Sequence, residues 1–243
     1  HSCISSTIHN EIDVIVNCAA YTAVDKAEDN QELCAKLNSE AVGYLAKAAE
    51  ENQAEFIQIS TDYVFDGTNY VPYRETEPTC PNSVYGVTKL AGEKKALEYC
   101  SKAMIIRTAW LYSVFGNNFV KTMIRLGKER ESLGVIFDQI GTPTYARDLA
   151  SAVFAAIRKG IIPGIYHFSN EGVCSWYDFT KSIHRIAGIG NCKVSPLHTD
   201  EYPAKAPRPH YSVLDKTKIK HTYGIEIPHW EESLEQCIKE LNV

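Results

Sequence analysis

Short apolar runs alternate with longer amphipathic segments along most of the chain. Five runs rich in Val, Ile and Phe predict β-strands at 13–17, 55–60, 103–108, 133–137 and 164–168. Between and after them, apolar residues spaced three or four apart predict helices near 30–52, 83–101, 117–130, 146–159, 175–187 and 230–241. Strands that alternate with helices are typical of a parallel sheet covered by helices, so we predict an α/β fold.

The first three predicted strands carry consecutive apolar residues, which predicts helices on both faces of the sheet. Ser175 followed by Asp178 predicts a capping box at the start of the fifth helix, and Gly188 closes that helix. The segments 66–82 and 196–212 are rich in turn-forming residues and contain several tyrosines. We predict that both are ordered surface loops near a site.

Composition and charge exclude several classes of protein. With 243 residues, 44% hydrophobic and 23% charged, the chain has the profile of an ordinary globular protein. The net charge of −5 and the scattered basic residues argue against nucleic acid as a partner. Because no apolar run approaches the ~20 residues of a membrane helix, and no signal-peptide pattern is present, we expect a cytoplasmic protein with no membrane partner.

The eight cysteines include no Cys-x-x-Cys pair. Several of them fall inside apolar periodic segments, as small hydrophobic core residues do. We therefore predict reduced, mostly buried cysteines, with neither a disulfide framework nor a metal site.

Tyr85 and Lys89 have the spacing of a general acid and its partner. Four positions apart at the start of a predicted helix, their side chains lie on one helix face. An ammonium beside a phenol favours the phenolate, which predicts a lowered pKa for Tyr85 and proton donation to a carbonyl near neutral pH. Tyr177 and Lys181 repeat the spacing, and we interpret them as an exposed helix pair.

Polar and aromatic residues follow the ends of the first three predicted strands. Asn17 ends the first, the segment 60–62 ends the second, and Trp110 follows the third. In an open α/β sheet, ligands bind at the carboxyl ends of strands, where the Thr61 hydroxyl can donate to a carbonyl and Trp110 can stack on a sugar or base. Taken alone, each segment also has a purely structural explanation: tight packing after Asn17, a turn at 60–62 and a loop anchor at Trp110. Because all three are predicted to lie at the same edge of the sheet as Tyr85, together they favour a ligand-binding site.

Six segments of the chain carry a family resemblance: NCAAYTAVDKAE (17–28), STDYVFDG (60–67), YGVTKLAGE (85–93), NNFVKTM (117–123), DQIGTPT (138–144) and RPHYS (208–212). In this order they closely resemble the dTDP-4-dehydrorhamnose reductases, a family of extended short-chain dehydrogenase/reductases. The resemblance implies a Rossmann-type doubly wound parallel sheet with a small C-terminal substrate lobe. It also implies NAD(P)H-dependent reduction of the C4 ketone of dTDP-4-dehydro-L-rhamnose to dTDP-L-rhamnose.

The resemblance further implies roles for individual residues. Tyr85 matches the proton donor, Lys89 its partner and a ligand of the nicotinamide ribose, and Thr61 the third catalytic residue. Besides Tyr85 and Lys89, the residues matching cofactor-lining positions are Ala20, Tyr21, Thr22 and Ile59. The residues that match substrate-contacting positions are Thr61, Asp62 and Trp110. Arg208 is also predicted to bind the substrate, because its guanidinium lies in a loop stiffened by proline. The expected ligands are a dTDP-sugar and NADPH or NADH, with no metal, and a homodimer is left open.

The sequence departs from the family in two places. Tyr211 stands where the family usually has Asn in the RPxNS motif. No G-x-G-x-x-G turn occurs, although dinucleotide-binding folds normally open with one, and Gly188-Ile-Gly190 ends a predicted helix instead of beginning one.

We expect the native polypeptide to be longer than the printed chain, because a first strand, glycine turn, helix and second strand need ~30 residues or more before residue 13. The printed chain should then bind NAD(P)H weakly, since nothing after residue 13 replaces that pyrophosphate site. Mass spectrometry of the intact native protein checks this expectation. A mass near 27.2 kDa together with tight NADPH binding would contradict it.

We predict a truncated dinucleotide-binding domain over 1–137 and a mainly substrate-binding lobe over 138–243 that returns to the main domain. Two other functions stay open: a non-catalytic relative that binds a partner enzyme, and a reductase or epimerase of another nucleotide sugar. The intact set of Thr61, Tyr85 and Lys89 argues against the first. The STDYVF and RPxxS segments disfavour the second.

Overall fold

The computed structural model describes residues 12–242, in which a four-stranded parallel sheet forms the centre. In chain order the strands are β1 (Val14–Asn17), β2 (Glu55–Thr61), β3 (Ala103–Thr108), β4 (Leu111–Tyr112), β5 (Ser132–Ile136), β6 (Ile140–Gly141), β7 (Thr144–Tyr145), β8 (Gly164–His167), β9 (Cys174–Ser175) and β10 (Lys193–Leu197). The central sheet has the order β1-β2-β3-β8. Its parallel register places the carboxyl ends of β1, β2 and β3 along one edge.

The helices cover this sheet and build a second, smaller lobe. In chain order they are α1 (Val24–Ala27), α2 (Gln31–Ala35), α3 (Ala41–Glu51), α4 (Val84–Tyr99), α5 (Phe119–Glu129), α6 (Ala146–Lys159), α7 (Trp176–Ile186), α8 (Thr217–Tyr223) and α9 (Trp230–Leu241). A π-helical turn, Lys36–Glu40, joins α2 to α3 in one continuous run. Short 3₁₀ turns follow β2 at Asp62–Val64 and β10 at Thr199–Glu201.

Both faces of the central sheet are buried under helices, as the apolar strand runs predict. On one face, Ile57 and Ile106 pack with residues of α6 and α8. On the other face, Phe56 and Ile105 pack with residues of α3 and α4. A parallel sheet covered on both sides carries apolar residues at successive positions because each strand contributes to two cores.

The predicted strands and long helices are confirmed to within a few residues, and the capping box of Ser175 and Asp178 is present at the start of α7. Gly188 lies two residues after that helix, with φ +68°. Two short helices and five strands of the described range were not predicted: α1, α8, β4, β6, β7, β9 and β10. The strand predicted at 133–137 forms, but as β5 it pairs with β10 in a separate two-stranded sheet.

The smaller lobe has its own apolar core, formed by β5, β10, α5, α7 and α9. The lobe is built from separate stretches of the chain. β5 precedes the predicted boundary at residue 137 and β10 follows it, and between them β8 belongs to the central sheet. The boundary itself stays a prediction.

The cysteines are free throughout the described range. Cys34, Cys100, Cys174, Cys192 and Cys237 are buried, as predicted for most of them, whereas Cys18 and Cys80 are exposed. The remaining one, Cys3, lies outside the described residues. Within 12–242, none of the helices is both long and apolar enough to cross a bilayer.

Candidate active site

A cleft of about 410 Å³ opens at the carboxyl edge of the central sheet. It lies where β1, β2 and β3 end, which is the position that the strand-end rule predicts. The predicted site residues that line it are Ala20, Thr22, Ile59, Thr61, Asp62, Tyr85, Lys89 and Trp110. Residues that sequence reasoning did not assign also contribute, among them Cys18, Tyr63 and Trp176.

The first turn of α4 presents Tyr85 to this cleft. Ser83 caps the helix by accepting a hydrogen bond from Gly86 N–H at 3.2 Å, and Val84 N–H donates to Glu28 Oε1 at 3.0 Å. Gly86 allows the helix to lie directly on the chain after β2, because a Cβ at this position would come within 2.3 Å of the Tyr63 carbonyl oxygen. The backbone of Tyr85 is therefore fixed by contacts of the residues on both sides of it.

Lys89 lies one turn further along α4 and is 5% exposed. Its Nζ donates to the Ile59 carbonyl oxygen at 2.7 Å, which ties α4 to β2. Burial lowers the pKa of Lys89 to about 8, against the opposing attraction of the Glu93 carboxylate. The ammonium is thus close to its protonation midpoint at mildly alkaline pH.

The pKa of Tyr85 is raised, not lowered as the Tyr-x-x-x-Lys spacing predicts. Burial of the phenol raises the pKa to about 12, a hydrogen bond with the Thr61 side chain opposes this, and the nearby Asp62 carboxylate adds to it. The prediction was wrong because the Lys89 ammonium is directed at the Ile59 carbonyl, so desolvation of the phenol dominates. Tyr85 is consequently protonated at neutral pH.

Thr61, the last residue of β2, and Asp62, which follows it, form a hydrogen-bonded pair in the wall of the cleft. Thr61 Oγ1 donates to Asp62 Oδ1 at 2.9 Å and accepts from Tyr63 N–H at 3.2 Å. Asp62 Oδ2 is buried and has no hydrogen-bond partner within residues 12–242. Burial raises the pKa of Asp62 to about 6, with the Thr61 hydrogen bond opposing the shift. Asp62 therefore lines the cleft with a carboxyl group whose Oδ2 is shielded from solvent.

Trp110 joins the cleft to a second cavity of about 250 Å³. Its indole stacks on that of Trp176, with ring centroids 3.6 Å apart and planes 11° apart. Its φ of +49° is rare for a bulky side chain, and such strain concentrates at functional sites. The paired indoles form an apolar wall suited to a flat ring.

Arg208 lines the second cavity from the loop that was predicted at 196–212. Its Nη2 donates to Asp25 Oδ2 at 2.7 Å, and Asp25 Oδ1 accepts from the backbone N–H groups of Lys205 and Ala206. Asp25 therefore holds this loop against α1. Tyr211, at the position where the family usually has Asn, is half-buried and its ring lies beside that of Tyr73.

Three other residues discussed in the sequence analysis, Tyr21, Tyr177 and Lys181, do not line the cleft. Tyr21 is not among the residues that line the cleft, but its backbone is held beside it by Asn38. Tyr177 and Lys181 lie on α7 and do not line the cleft. Within the described range, no group of three or more His, Cys, Asp or Glu side chains could hold a metal ion.

Comparisons with known proteins agree on one family. The model of the family described as RmlD substrate binding domain matches residues 2–243. A dTDP-4-dehydrorhamnose reductase of Escherichia coli strain K12 is 45% identical over 238 residues, which cover 94% of this chain and 80% of that protein.

Two solved structures are similar over nearly the whole chain. A dTDP-4-dehydrorhamnose reductase from Clostridium acetobutylicum superposes with a TM-score of 0.95 at 45% identity, covering 99% of this chain and 85% of that one. One from Bacillus anthracis, solved in complex with NADP, gives a TM-score of 0.94 at 41% identity, covering 98% and 85%.

Proposed function

The chain belongs to the RmlD family of dTDP-4-dehydrorhamnose reductases, and on that premise we propose how its residues carry out the reaction. The activity is NAD(P)H-dependent reduction of the C4 ketone of dTDP-4-dehydro-L-rhamnose to dTDP-L-rhamnose. The observation that carries the proposal is the meeting of Thr61, Tyr85 and Lys89 at one cleft.

The cleft suits a dinucleotide cofactor. Small side chains, Ala20 and Thr22, form part of its wall, where a flat group can approach the backbone. Together with Tyr21, Ile59, Tyr85 and Lys89 they are the proposed contacts of NADPH or NADH. The bound cofactor supplies the hydride.

Tyr85 is the proposed proton donor to the C4 oxygen. Its raised pKa keeps the phenol protonated at neutral pH, so the acid is present before the reaction begins. The Thr61 side chain lies beside this phenol and orients it, and Lys89, whose ammonium donates to the Ile59 carbonyl, is the proposed ligand of the nicotinamide ribose.

Four residues are proposed to bind the nucleotide sugar. The Asp62 carboxyl group, which lines the cleft beside the Thr61 hydroxyl, accepts from a sugar hydroxyl. Trp110 stacks on the ring, and Arg208 binds the diphosphate with the guanidinium N–H groups that Asp25 and the Ala206 carbonyl leave free.

Replacing Arg208 with Ala should raise KM for the nucleotide sugar about tenfold, because a hydrogen bond to a charged group contributes ~1.5–3 kcal/mol. KM for NADPH should stay unchanged, since Arg208 lines the second cavity and does not line the cleft that holds the proposed cofactor contacts. Lys205→Ala, in the same loop and paired with Asp29 at the surface, is the matched control. Equal increases in both KM values, or no increase in either, would place the loop away from the substrate.

The rate should also depend on the charge of Lys89. Because its pKa is lowered to about 8, the ammonium is fully present at neutral pH and is lost as the pH rises through that value. We expect kcat/KM to fall on the alkaline side of pH ~8, measured in buffers of constant ionic strength. A profile that stays flat through pH ~9 would show that this charge does not act in the reaction.

The activity is tested by following NADPH oxidation by the native polypeptide with a panel of 4-keto nucleotide sugars. We expect turnover with dTDP-4-dehydro-L-rhamnose to exceed that with the other sugars. Turnover only with a different sugar would favour the alternative substrate, and binding without turnover of any would favour the non-catalytic relative. Sedimentation of the same sample tests the homodimer, which stays a prediction.

A further inference from the structure

His167 ends β8, the strand of the central sheet from which no side chain lines the cleft. The residue is fully buried. Its backbone N–H donates to Glu75 Oε1 at 3.1 Å, and its imidazole Nδ1 lies 3.1 Å from the Tyr73 carbonyl oxygen. Because a carbonyl oxygen can only accept, Nδ1 carries the hydrogen and donates it. Both the backbone and the side chain of His167 therefore bind the loop that was predicted at 66–82.

The imidazole of His167 is neutral. Burial lowers its pKa to about 3, the Arg107 guanidinium adds to this, and the hydrogen bond with the Tyr73 carbonyl opposes it. The other ring nitrogen, Nε2, is buried and has no hydrogen-bond partner within residues 12–242. In the described part of the chain, the hydrogen bonding of this side chain is therefore directed at Tyr73.

Tyr73 links the loop 66–82 to the chain that follows the loop 196–212. Its N–H donates to the Val213 carbonyl oxygen at 2.9 Å, and its carbonyl oxygen also accepts from Asp215 N–H at 2.8 Å. The two segments run side by side in the parallel sense, as neighbouring strands do. The imidazole binds the carbonyl at which they meet, so it holds both segments at once.

The ring of Tyr73 faces the part of the chain that carries Arg208. Its centroid lies 6.4 Å from that of Tyr211. Tyr211 N–H donates to the Gly67 carbonyl oxygen at 3.1 Å, and a Cβ on Gly67 would come within 2.3 Å of Pro209 Cβ. Pro209 directly follows Arg208. A continuous path of packed residues therefore leads from Tyr73 to the guanidinium.

We propose that His167 is a positioning residue, which holds the segments 73–75 and 213–215 at the end of β8 and so sets the place of Arg208 at the second cavity. This inference rests on the proposed function only for the identity of the ligand that Arg208 binds. A loop that is ordered in advance binds its ligand without the cost of becoming ordered, so loss of the imidazole lowers affinity for the nucleotide sugar. Neither segment lines the cleft, so the cofactor contacts stay intact.

The test compares His167→Leu, His167→Asn and wild type in the native polypeptide. Asn carries an N–H group on Cγ, as the imidazole does, and can keep the bond to the Tyr73 carbonyl. Leu leaves that oxygen with the Asp215 N–H alone. Tyr223→Phe is the matched control, because it removes one buried hydroxyl that accepts from Ile162 N–H at 2.9 Å and that lines neither cavity.

In His167→Leu, KM for the nucleotide sugar should rise about fivefold, less than in Arg208→Ala, because the guanidinium remains but its loop is less ordered. KM for NADPH and kcat at saturating sugar should stay close to wild type. His167→Asn should bring the sugar KM back to within about twofold of wild type. Tyr223→Phe should leave it unchanged.

Amide hydrogen exchange reports on the same segments without substrate or turnover. In the free protein, exchange at Tyr73, Tyr211 and Asp215 should accelerate about tenfold or more in His167→Leu and remain slow in His167→Asn. Exchange at the amides of β3 is the internal reference for a general loss of stability. A failure of the proposed reaction would leave this result in place, so the two failures are distinguishable.

The inference is overturned if the sugar KM and the exchange rates of His167→Leu match those of Tyr223→Phe. It is also overturned if KM for the sugar and KM for NADPH rise equally, or if folded His167→Asn is impaired as much as His167→Leu. Should His167→Leu fail to fold, His167→Gln decides, because its amide nitrogen lies one bond further from the backbone than Nδ1. An unchanged sugar KM in that variant contradicts the role.

Discussion

Tyr85→Phe should lower kcat by about 10²–10⁴-fold and leave the fold and NADPH affinity unchanged, because it removes only the proton that the reaction needs. The phenol is protonated at neutral pH, so it holds the proton that the proposed reaction needs. The measurement is the steady-state rate at saturating sugar and NADPH, with cofactor Kd measured in parallel.

Tyr177→Phe provides the control for this result. It lies in the second Tyr-x-x-x-Lys pair, on α7 and outside the lining of the cleft, so its turnover should match wild type. Near-normal turnover in Tyr85→Phe would remove Tyr85 from the role of acid and leave the reaction without its assigned donor.

Glu93→Gln should destabilise the protein by about 3–5 kcal/mol, the cost of leaving one member of a buried ion pair uncompensated. Glu93 and Arg107 have side chains that are each 2% exposed. The Glu93 carboxylate accepts from Arg107 Nε and Nη2 and from the Ser60 hydroxyl, which adjoins Thr61. Urea unfolding of wild type and variant measures the difference.

An exposed pair on α5 is the matched control for that experiment. Arg125 and Glu129 form an i,i+4 pair whose side chains are more than half exposed, so Glu129→Gln should change stability by about 0.5 kcal/mol or less. If Glu93→Gln were no more destabilising than Glu129→Gln, the buried pair would contribute nothing to holding α4 against β3.

The arrangement of the site was predictable where strand ends dictate it. Apolar runs locate β1, β2 and β3, and a parallel sheet brings their carboxyl ends to one edge. Thr61 ends β2, Trp110 lies two residues after β3, and Tyr85 lies in the first turn of the helix that packs beside them. Their meeting at one cleft therefore follows from local sequence together with a general rule of topology.

Other features depend on contacts between distant parts of the chain. Trp176 reaches the cleft from α7 in the smaller lobe, and the partner of Arg208 is Asp25 on α1, which no periodic pattern links to it. The pKa of Tyr85 was predicted with the wrong sign because spacing on a helix does not reveal burial. The π turn at Asn38 was read as regular helix, since one extra residue barely disturbs the apolar period.

The pairing of β5 with β10 has a consequence for how the molecule acquires its structure. Ser132 pairs with Lys193, and the intervening chain contributes β8 to the central sheet before it returns. Contacts between positions so far apart in sequence form slowly, because the entropy cost of closing a long loop comes before the contacts stabilise the structure. During synthesis, β5 stays without its neighbour until β10 has left the ribosome. We therefore expect the smaller lobe to be the last region to fold, and the region whose exposed strand edge most needs protection from aggregation until then.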